Sequence, residues 1–217
     1  MAKAGLSHDL VVRTAAEVAD EVGWERLTLA LVAQRLSVSL PALYKHISSL
    51  EGLRRDLALL SLTELERELR TAIVGTSGDV GVQALANAYR SFAQHHPGLY
   101  AATLKDPNRA DAQHLAASRA VLRVAYTTLE GYHLVGRDAT DAVRAVRAVL
   151  HGFVSLESTG GFGPAQDVDR SYGRLVAGLE TVLAHWSDGA RSPHMHASLG
   201  QASPELVNDQ ASPETRP

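Results

Sequence analysis

Between Leu27 and Leu53 the chain reads LTLALVAQRLSVSLPALYKHISSLEGL, and this stretch restricts the possible fold more than any other. Leu29, Val32, Ala33 and Leu36 recur at i, i+3, i+4 and i+7, which marks one face of a helix expected from Thr28 to Leu36. Ser37-Val38-Ser39 is a turn in which a serine is available to accept a backbone N–H and cap the next helix. That helix is expected from about Leu40 to Ile47, with Pro41 in its first turn, where a missing N–H costs nothing. Leu43 and Ile47 fall one turn apart and face inward, leaving Tyr44, Lys45 and His46 mainly outward. Ser48 and Glu51 then offer a capping box that starts a third, longer helix.

Two helices joined by a three- to four-residue turn form a helix-turn-helix unit, whose second helix enters the major groove of DNA. The side chains are more specific than the periodicity. Thr28, Val32, Ala33, Leu36, Val38, Ser39, Leu43, Tyr44, His46, Ile47, Ser49 and Leu53 stand in register with a known pattern. By them the chain resembles the TetR family of transcriptional regulators, because core, turn and groove-facing positions match together. There are two departures. Ser37 replaces the turn glycine, so a residue with a Cβ takes the bend at a cost of ~1 kcal/mol. Leu50 replaces a basic residue that ordinarily meets phosphate, which predicts weaker non-specific DNA affinity than in a typical member.

At 217 residues the chain holds one large or two modest domains with a proper core. It has no cysteine, which removes disulfides, thiolate metal sites and thiol nucleophiles. The start MAKAGLSHDL lacks the apolar core of a signal peptide and no apolar run approaches a membrane span, so a soluble, cytoplasmic protein with no membrane partner is expected. A net charge of −3 argues against a globally basic nucleic-acid coat. Between Arg26 and Arg55, however, Arg26, Arg35, Lys45, Arg54 and Arg55 face Glu51 alone, a local surplus on the same stretch as the motif.

The rest of the chain reads as helix throughout, an all-α fold. Leu10, Val11, Ala15, Val18 and Val22 predict a first helix from Ser7 to about Gly23, with Gly23 as its C-cap and Trp24 as a core plug. A leucine-rich helix is expected from Ser49 to about Val74, broken by Gly75-Thr76-Ser77-Gly78. The next, Val80 to His96, is stopped by Pro97-Gly98. A turn at Asp106-Pro107-Asn108 leads to a helix from about Ala110 to Glu130. Thr140 is the candidate N-cap of a further helix through Val143, Val146, Leu150, Phe153 and Val154, and Asp167 or Asp169 opens the last, through Tyr172, Leu179 and Leu183. The division expected is a helix-turn-helix head over residues 1–52, a helical body over 53–186, and a disordered tail over 187–217 in which Ser, Pro, Ala, Gln and Asp prevail.

The segments His96–Leu104 and Leu150–Gly163, with Asp167–Tyr172, also resemble TetR-family bodies, the latter a large subfamily with a His-Gly-Phe motif. The resemblance implies a homodimeric, ligand-responsive repressor on a near-palindromic operator, with two reading helices ~34–36 Å apart. It implies DNA contacts from Thr28, Ser39, Leu40, Pro41, Ala42, Tyr44, Lys45 and His46. It places a four-helix dimer interface on the last two helices, through Val143, Val146, Arg147, Leu150, Val154, Leu175, Leu179, Val182 and Trp186. A small-molecule effector would shift the Ser49–Val74 helix and change the spacing of the heads. Tyr89, Phe92, Tyr100, Tyr126, His151 and Phe153 are the candidate lining of its pocket, though each taken singly is better accounted for as core. Glu157 either anchors a cationic ligand or sits at the dimer rim.

Catalysis and metal binding have little support. No HExxH or helical His-x-x-x-His pair occurs, His95 and His96 diverge on a helix, and His194-Met195-His196 lies in the tail. The Gly160-Gly161-x-Gly163 loop follows no strand. No cofactor is called for, and the chain is not read as an enzyme. Two alternatives stand beside the regulator, a helical ligand-binding dimer without high-affinity DNA recognition and, more remotely, a small-molecule enzyme on the same scaffold.

Overall fold

Hydroxyl side chains set the starts of the first helices. The computed structural model describes residues 5–104, 111–163 and 167–186. α1 (His8–Val22) begins where the Ser7 hydroxyl accepts from Leu10 N at 3.2 Å, and α2 (Leu29–Leu36) where Thr28 Oγ1 accepts from Leu31 N at 3.3 Å. α4 (Leu50–Ala72) begins at Ser49, whose Oγ accepts from Gly52 N at 3.0 Å. The cap thus falls one residue later than the box expected at Ser48 and Glu51, and glycine in the third helical position has no side chain to reciprocate. α3 (Leu40–Leu43) opens at Ser39 without a side-chain cap.

The turn between α2 and α3 is closed by backbone alone. Ser37 takes the left-handed conformation (φ 55°, ψ 43°), Ser37 N bonds Gln34 O at 3.0 Å, and Val38 N reaches back to Ala33 O at 3.0 Å. This pair of bonds satisfies the last carbonyls of α2 with a serine where glycine is usual. α3 is shorter than expected as an α-helix. Past Leu43 the bonds tighten to three-residue steps, from Lys45 N to Ala42 O and from His46 N to Leu43 O, which carries Ile47 into the core.

Beyond α4 come α5 (Gly78–His95), α6 (Pro97–Thr103), α7 (Ala112–Leu129), α8 (Gly136–Ser158) and α9 (Val168–Ala184), with no strand among the described residues. α6 is not foreseen by the periodicity. Pro97 ends α5, as expected, but then serves as the first residue of a new helix, a position that suits its fixed φ. α8 starts a turn before the expected cap, and Thr140 lies within it, its Oγ1 donating to Gly136 O at 3.2 Å. Asp167 does cap α9, accepting from Arg170 N at 2.9 Å. The turn at Asp106–Asn108 and the tail with His194 and His196 lie outside the described residues.

One continuous buried cluster runs from Val11 in the head to Leu183 in α9. α4 is its spine, packing on α1, α5, α6 and α7. Leu53 and Leu57, both fully buried, are in its first turns, and Leu62, Leu65 and Leu69 continue the buried stripe towards the other end. α6 lies hard against α1. A Cβ added at Gly98 would fall 2.3 Å from the backbone carbonyl of Ala19, a contact that only movement of a whole helix would relieve. Gly98→Ala is therefore expected to lower stability by roughly 1–3 kcal/mol, whereas Ser37→Gly should raise it by about 1 kcal/mol by relieving the left-handed turn. Urea denaturation followed by circular dichroism distinguishes the two signs.

Candidate functional site

α3, the second helix of the helix-turn-helix unit, and the residues just past it present a small, mostly polar face over a buried floor. Leu43 and Ile47 are buried beneath it. Thr28, Ser39, Pro41 and Lys45 are exposed, Tyr44 and Leu40 are exposed to 54% and 40%, and Ala42 and His46 are half-buried. Of the eight expected contact residues, Thr28 and Ser39 stand at the starts of α2 and α3, Leu40, Pro41 and Ala42 are on α3, and Tyr44, Lys45 and His46 follow in the tightened turn past it. The wider basic surplus is differently placed. Arg35 forms a bidentate pair with Glu21. Arg26 Nε donates to Val22 O at 2.5 Å, and Arg54 lies 5.6 Å over the Trp24 ring. Arg55 bridges from α4 to Asp111, with a further bond to Gln113 at 2.8 Å. Most of these arginines hold the head together or to the body, and Lys45 is left with no side-chain partner among the described residues.

In the body, α4, α5, α6, α7 and α8 enclose a cavity of about 260 Å³. Its wall is chiefly aliphatic, with Leu62, Leu65 and Leu69 from α4, Leu85 from α5, and Val143, Val146 and Leu150 from α8. Tyr89, Thr103, Ser118 and Arg147 supply its polar atoms. Of the six aromatic and histidine candidates, Tyr89 lines the cavity directly. Its hydroxyl lies 3.1 Å from that of Tyr100, which lies 2.7 Å from His151 Nδ1, so three of the six form a chain leading away from the wall. Burial raises the pKa of both tyrosines, and the Arg147 charge opposes that rise in each. The other three lie elsewhere. Phe92 is fully buried against His96, Phe153 packs on Phe162 and Tyr172, and Tyr126 is part-exposed with its hydroxyl donating to Thr140.

Two ionic features escape sequence reasoning. Asp20, in the last turn of α1, caps α6 from outside. Its Oδ1 accepts from the backbone N–H groups of Gly98 at 2.8 Å and Leu99 at 3.1 Å, and Oδ2 pairs with His96 Nδ1 at 3.2 Å. The visible signal was misplacement, since a carboxylate near a helix C-terminus opposes the helix dipole unless it serves another group. The second feature is Arg90. It binds Glu157 on α8 through two nitrogens and Asp169 of α9 at 2.7 Å, and its guanidinium lies 4.7 Å over the Tyr172 ring. These charge-assisted contacts raise the Arg90 pKa, the hydrogen bond to Glu157 foremost. Glu157 is therefore engaged in tying α5 to α8, and neither of the roles expected for it is needed to explain its place.

Of the expected interface residues, Val143, Val146, Leu150, Val154 and Leu179 are buried within the subunit, while Arg147, Leu175, Val182 and Trp186 reach its surface. Among the described residues no cluster of three or more His, Asp or Glu has metal-binding geometry. Likewise, no helix is long and apolar enough to cross a membrane.

This arrangement, a helix-turn-helix head on a cavity-bearing helical body, defines a class of regulator, and the comparisons agree. Residues 82–179 match the family model described as tetracyclin repressor-like, C-terminal domain. An uncharacterized HTH-type transcriptional regulator of Mycobacterium tuberculosis is 35% identical over 187 residues, 84% of this chain and 85% of that protein. The regulator YobS of Bacillus subtilis, also uncharacterized, is 31% identical over 180 residues, 83% of this chain and 92% of its own. The crystal structure of TetR-Q116A from Acinetobacter baumannii AYE, in complex with minocycline, superposes with a TM-score of 0.59 at 23% identity, covering 87% of this chain and all of that one. The chain belongs to the TetR family of helix-turn-helix transcriptional regulators.

The Arg55 bridge carries a pH signature. The Arg55 guanidinium, with the His114 backbone N–H, holds the Asp111 carboxyl down at about 2. Its ordinary value is ~3.9, so the bridge's contribution is complete above that value and is lost as pH falls through about 2. Asp111→Ala is expected to melt below the parent at pH 7, with the gap closing between about pH 5 and pH 2.

Proposed function

We propose that this protein is a ligand-responsive repressor that binds a palindromic operator as a homodimer and releases it when a small molecule enters the body cavity. One observation carries the reading. α4 is continuous from the head core at Leu53 and Leu57 to the cavity wall at Leu62, Leu65 and Leu69. A ligand that displaces that wall also displaces the helix on which the head is built. α6 offers a second route, because Thr103 and Leu104 at its end line the cavity while its start is held by Asp20 of α1. A tenfold loss of operator affinity requires only ~1.4 kcal/mol of ligand preference for the non-binding head spacing.

In the reading face, Tyr44 and His46 meet phosphate or the groove wall and Lys45 a phosphate or guanine edge, while Ser39, Leu40, Pro41 and Ala42 approach the bases. Thr28 adds a phosphate contact at the N-terminus of α2. The partner subunit docks on the outer faces of α8 and α9. There Ala148, Gly152 and Leu156 recur at four-residue steps, and Leu175, Gly178, Val182 and Trp186 form a matching stripe. Leu156 and Val182 are exposed to 49% and 54%, and the small residues between such anchors permit close helix packing. The functional boundary falls at residues 52–53 within α4, with no linker between head and body.

Fluorescence anisotropy on the upstream intergenic DNA, at two salt concentrations, tests the reader. Tyr44→Ala is expected to weaken binding at least tenfold with an unchanged melting temperature. Val182→Glu should shift the mass in light scattering from dimer to monomer and abolish preference for a palindrome over its half-site. Binding that ignores sequence in the parent protein would leave a helical ligand-binding dimer as the reading.

A further inference from the structure

The cavity has a polarity that specifies more than "small molecule". Eleven of its fifteen described lining residues are aliphatic, three carry hydroxyls, and only Arg147 is charged. No aspartate or glutamate is among them. Arg147 is also exposed, so it stands where the cavity meets the surface, and it forms no ion pair with a carboxylate among the described residues. That sets it apart from Arg35, Arg55 and Arg90, each paired with a carboxylate. One end of the cavity is therefore cationic and the remainder is hydrocarbon.

We propose that the effector is a small anionic amphiphile, a monocarboxylate with an unbranched or compact apolar body, whose carboxylate pairs with Arg147 while its body fills the leucine and valine wall. This rests on the reading of the cavity as the effector site and names the chemistry it selects. A guanidinium matches a carboxylate with two parallel N–H donors, and the aliphatic stem of arginine continues the apolar wall behind it. Tyr89 supplies a further donor. When His151 Nδ1–H donates to Tyr100 and Tyr100 donates to Tyr89, the Tyr89 O–H is free to donate to the ligand, and the short contacts along this chain permit that direction. The volume restricts size. At ~30 Å³ per water-sized group, about 260 Å³ holds on the order of nine non-hydrogen atoms, close to the size of octanoate with its carboxylate at the mouth. Cationic amphiphiles are rejected, since a positive head at the mouth meets Arg147 with no carboxylate in the lining to offset it.

The test is isothermal titration of the full chain with octanoate, 1-octanol and octyltrimethylammonium, with Arg147→Gln and Ala125→Phe as variants of checked melting temperature. Octanoate is expected to bind at least tenfold more tightly than octanol, and the ammonium compound not at all. Arg147→Gln should bring octanoate down to the octanol level and leave octanol unchanged, and Ala125→Phe, which fills the cavity, should weaken both. Across C4 to C12 carboxylates, affinity should rise about fourfold per methylene and level off near eight carbons. Equal binding of octanoate and octanol, or octanoate binding indifferent to Arg147→Gln, overturns the anionic assignment and leaves the cavity as the effector site. Alkyl binding that is absent, or that ignores Ala125→Phe, overturns both. Operator binding is measured separately without ligand, so a failure of the DNA reader does not register in this titration.

Discussion

The contact on which the molecule's two halves depend is the Asp20 carboxylate at the start of α6. Two backbone N–H groups and a histidine converge on it, and all come from the body, while the carboxylate comes from the head. The first turn of any helix has donors with no partner inside the helix, and α6 begins with Pro97 and Gly98, which bring no capping side chain of their own. A neighbouring helix provides the acceptor instead. The close approach is possible because residue 98 has no Cβ, and α1 occupies the space one would need. With α6 fixed to α1 at one end and bordering the cavity at the other, the head and the cavity wall are mechanically connected.

Charge is used in two distinct ways. Arg90, with Glu157, Asp169 and the Tyr172 ring, joins α5, α8 and α9, and Arg55 joins α4 to the start of α7. Paired and partly screened from water, these arginines hold helices in register, and they have little charge to offer a ligand or a phosphate. Other cations form no ion pair with a carboxylate among the described residues, among them Lys45 just past α3 and Arg147 at the cavity mouth. An acidic chain of net charge −3 can still present positive charge locally, since the field at a site depends on the charges near it and not on the total.

Much of this was legible from side chains and spacing. The head was, because its signals are local. The first two helices start within one residue of Ser7 and Thr28, Gly23 ends the first, Ser37 takes the left-handed turn, and Leu43 and Ile47 point inward while Tyr44 points out. Where local reading erred, a neighbouring residue satisfied the same need. Ser49 caps in place of Ser48, α8 begins before Thr140, and Pro97 begins a helix as well as ending one. The body was legible as helices but not as a site. Aromatic residues on plausible faces were the natural candidates, yet the cavity is walled by leucines and valines and only Tyr89 of those six borders it.

The amino-acid sequence by itself determined the class of protein, the all-helical fold and the helix-turn-helix head, since each depends on propensities and contacts within a few residues along the chain. Tertiary structure alone decided which arginines are free, which side of α8 is buried, where the cavity lies and how it connects to the head. The physical reason is that each of these is a pairing between helices distant in sequence. A carboxylate at position 20 or 157 has several cations within reach in composition, and only the packing of α1 on α6, or of α5 on α8, selects the one it meets.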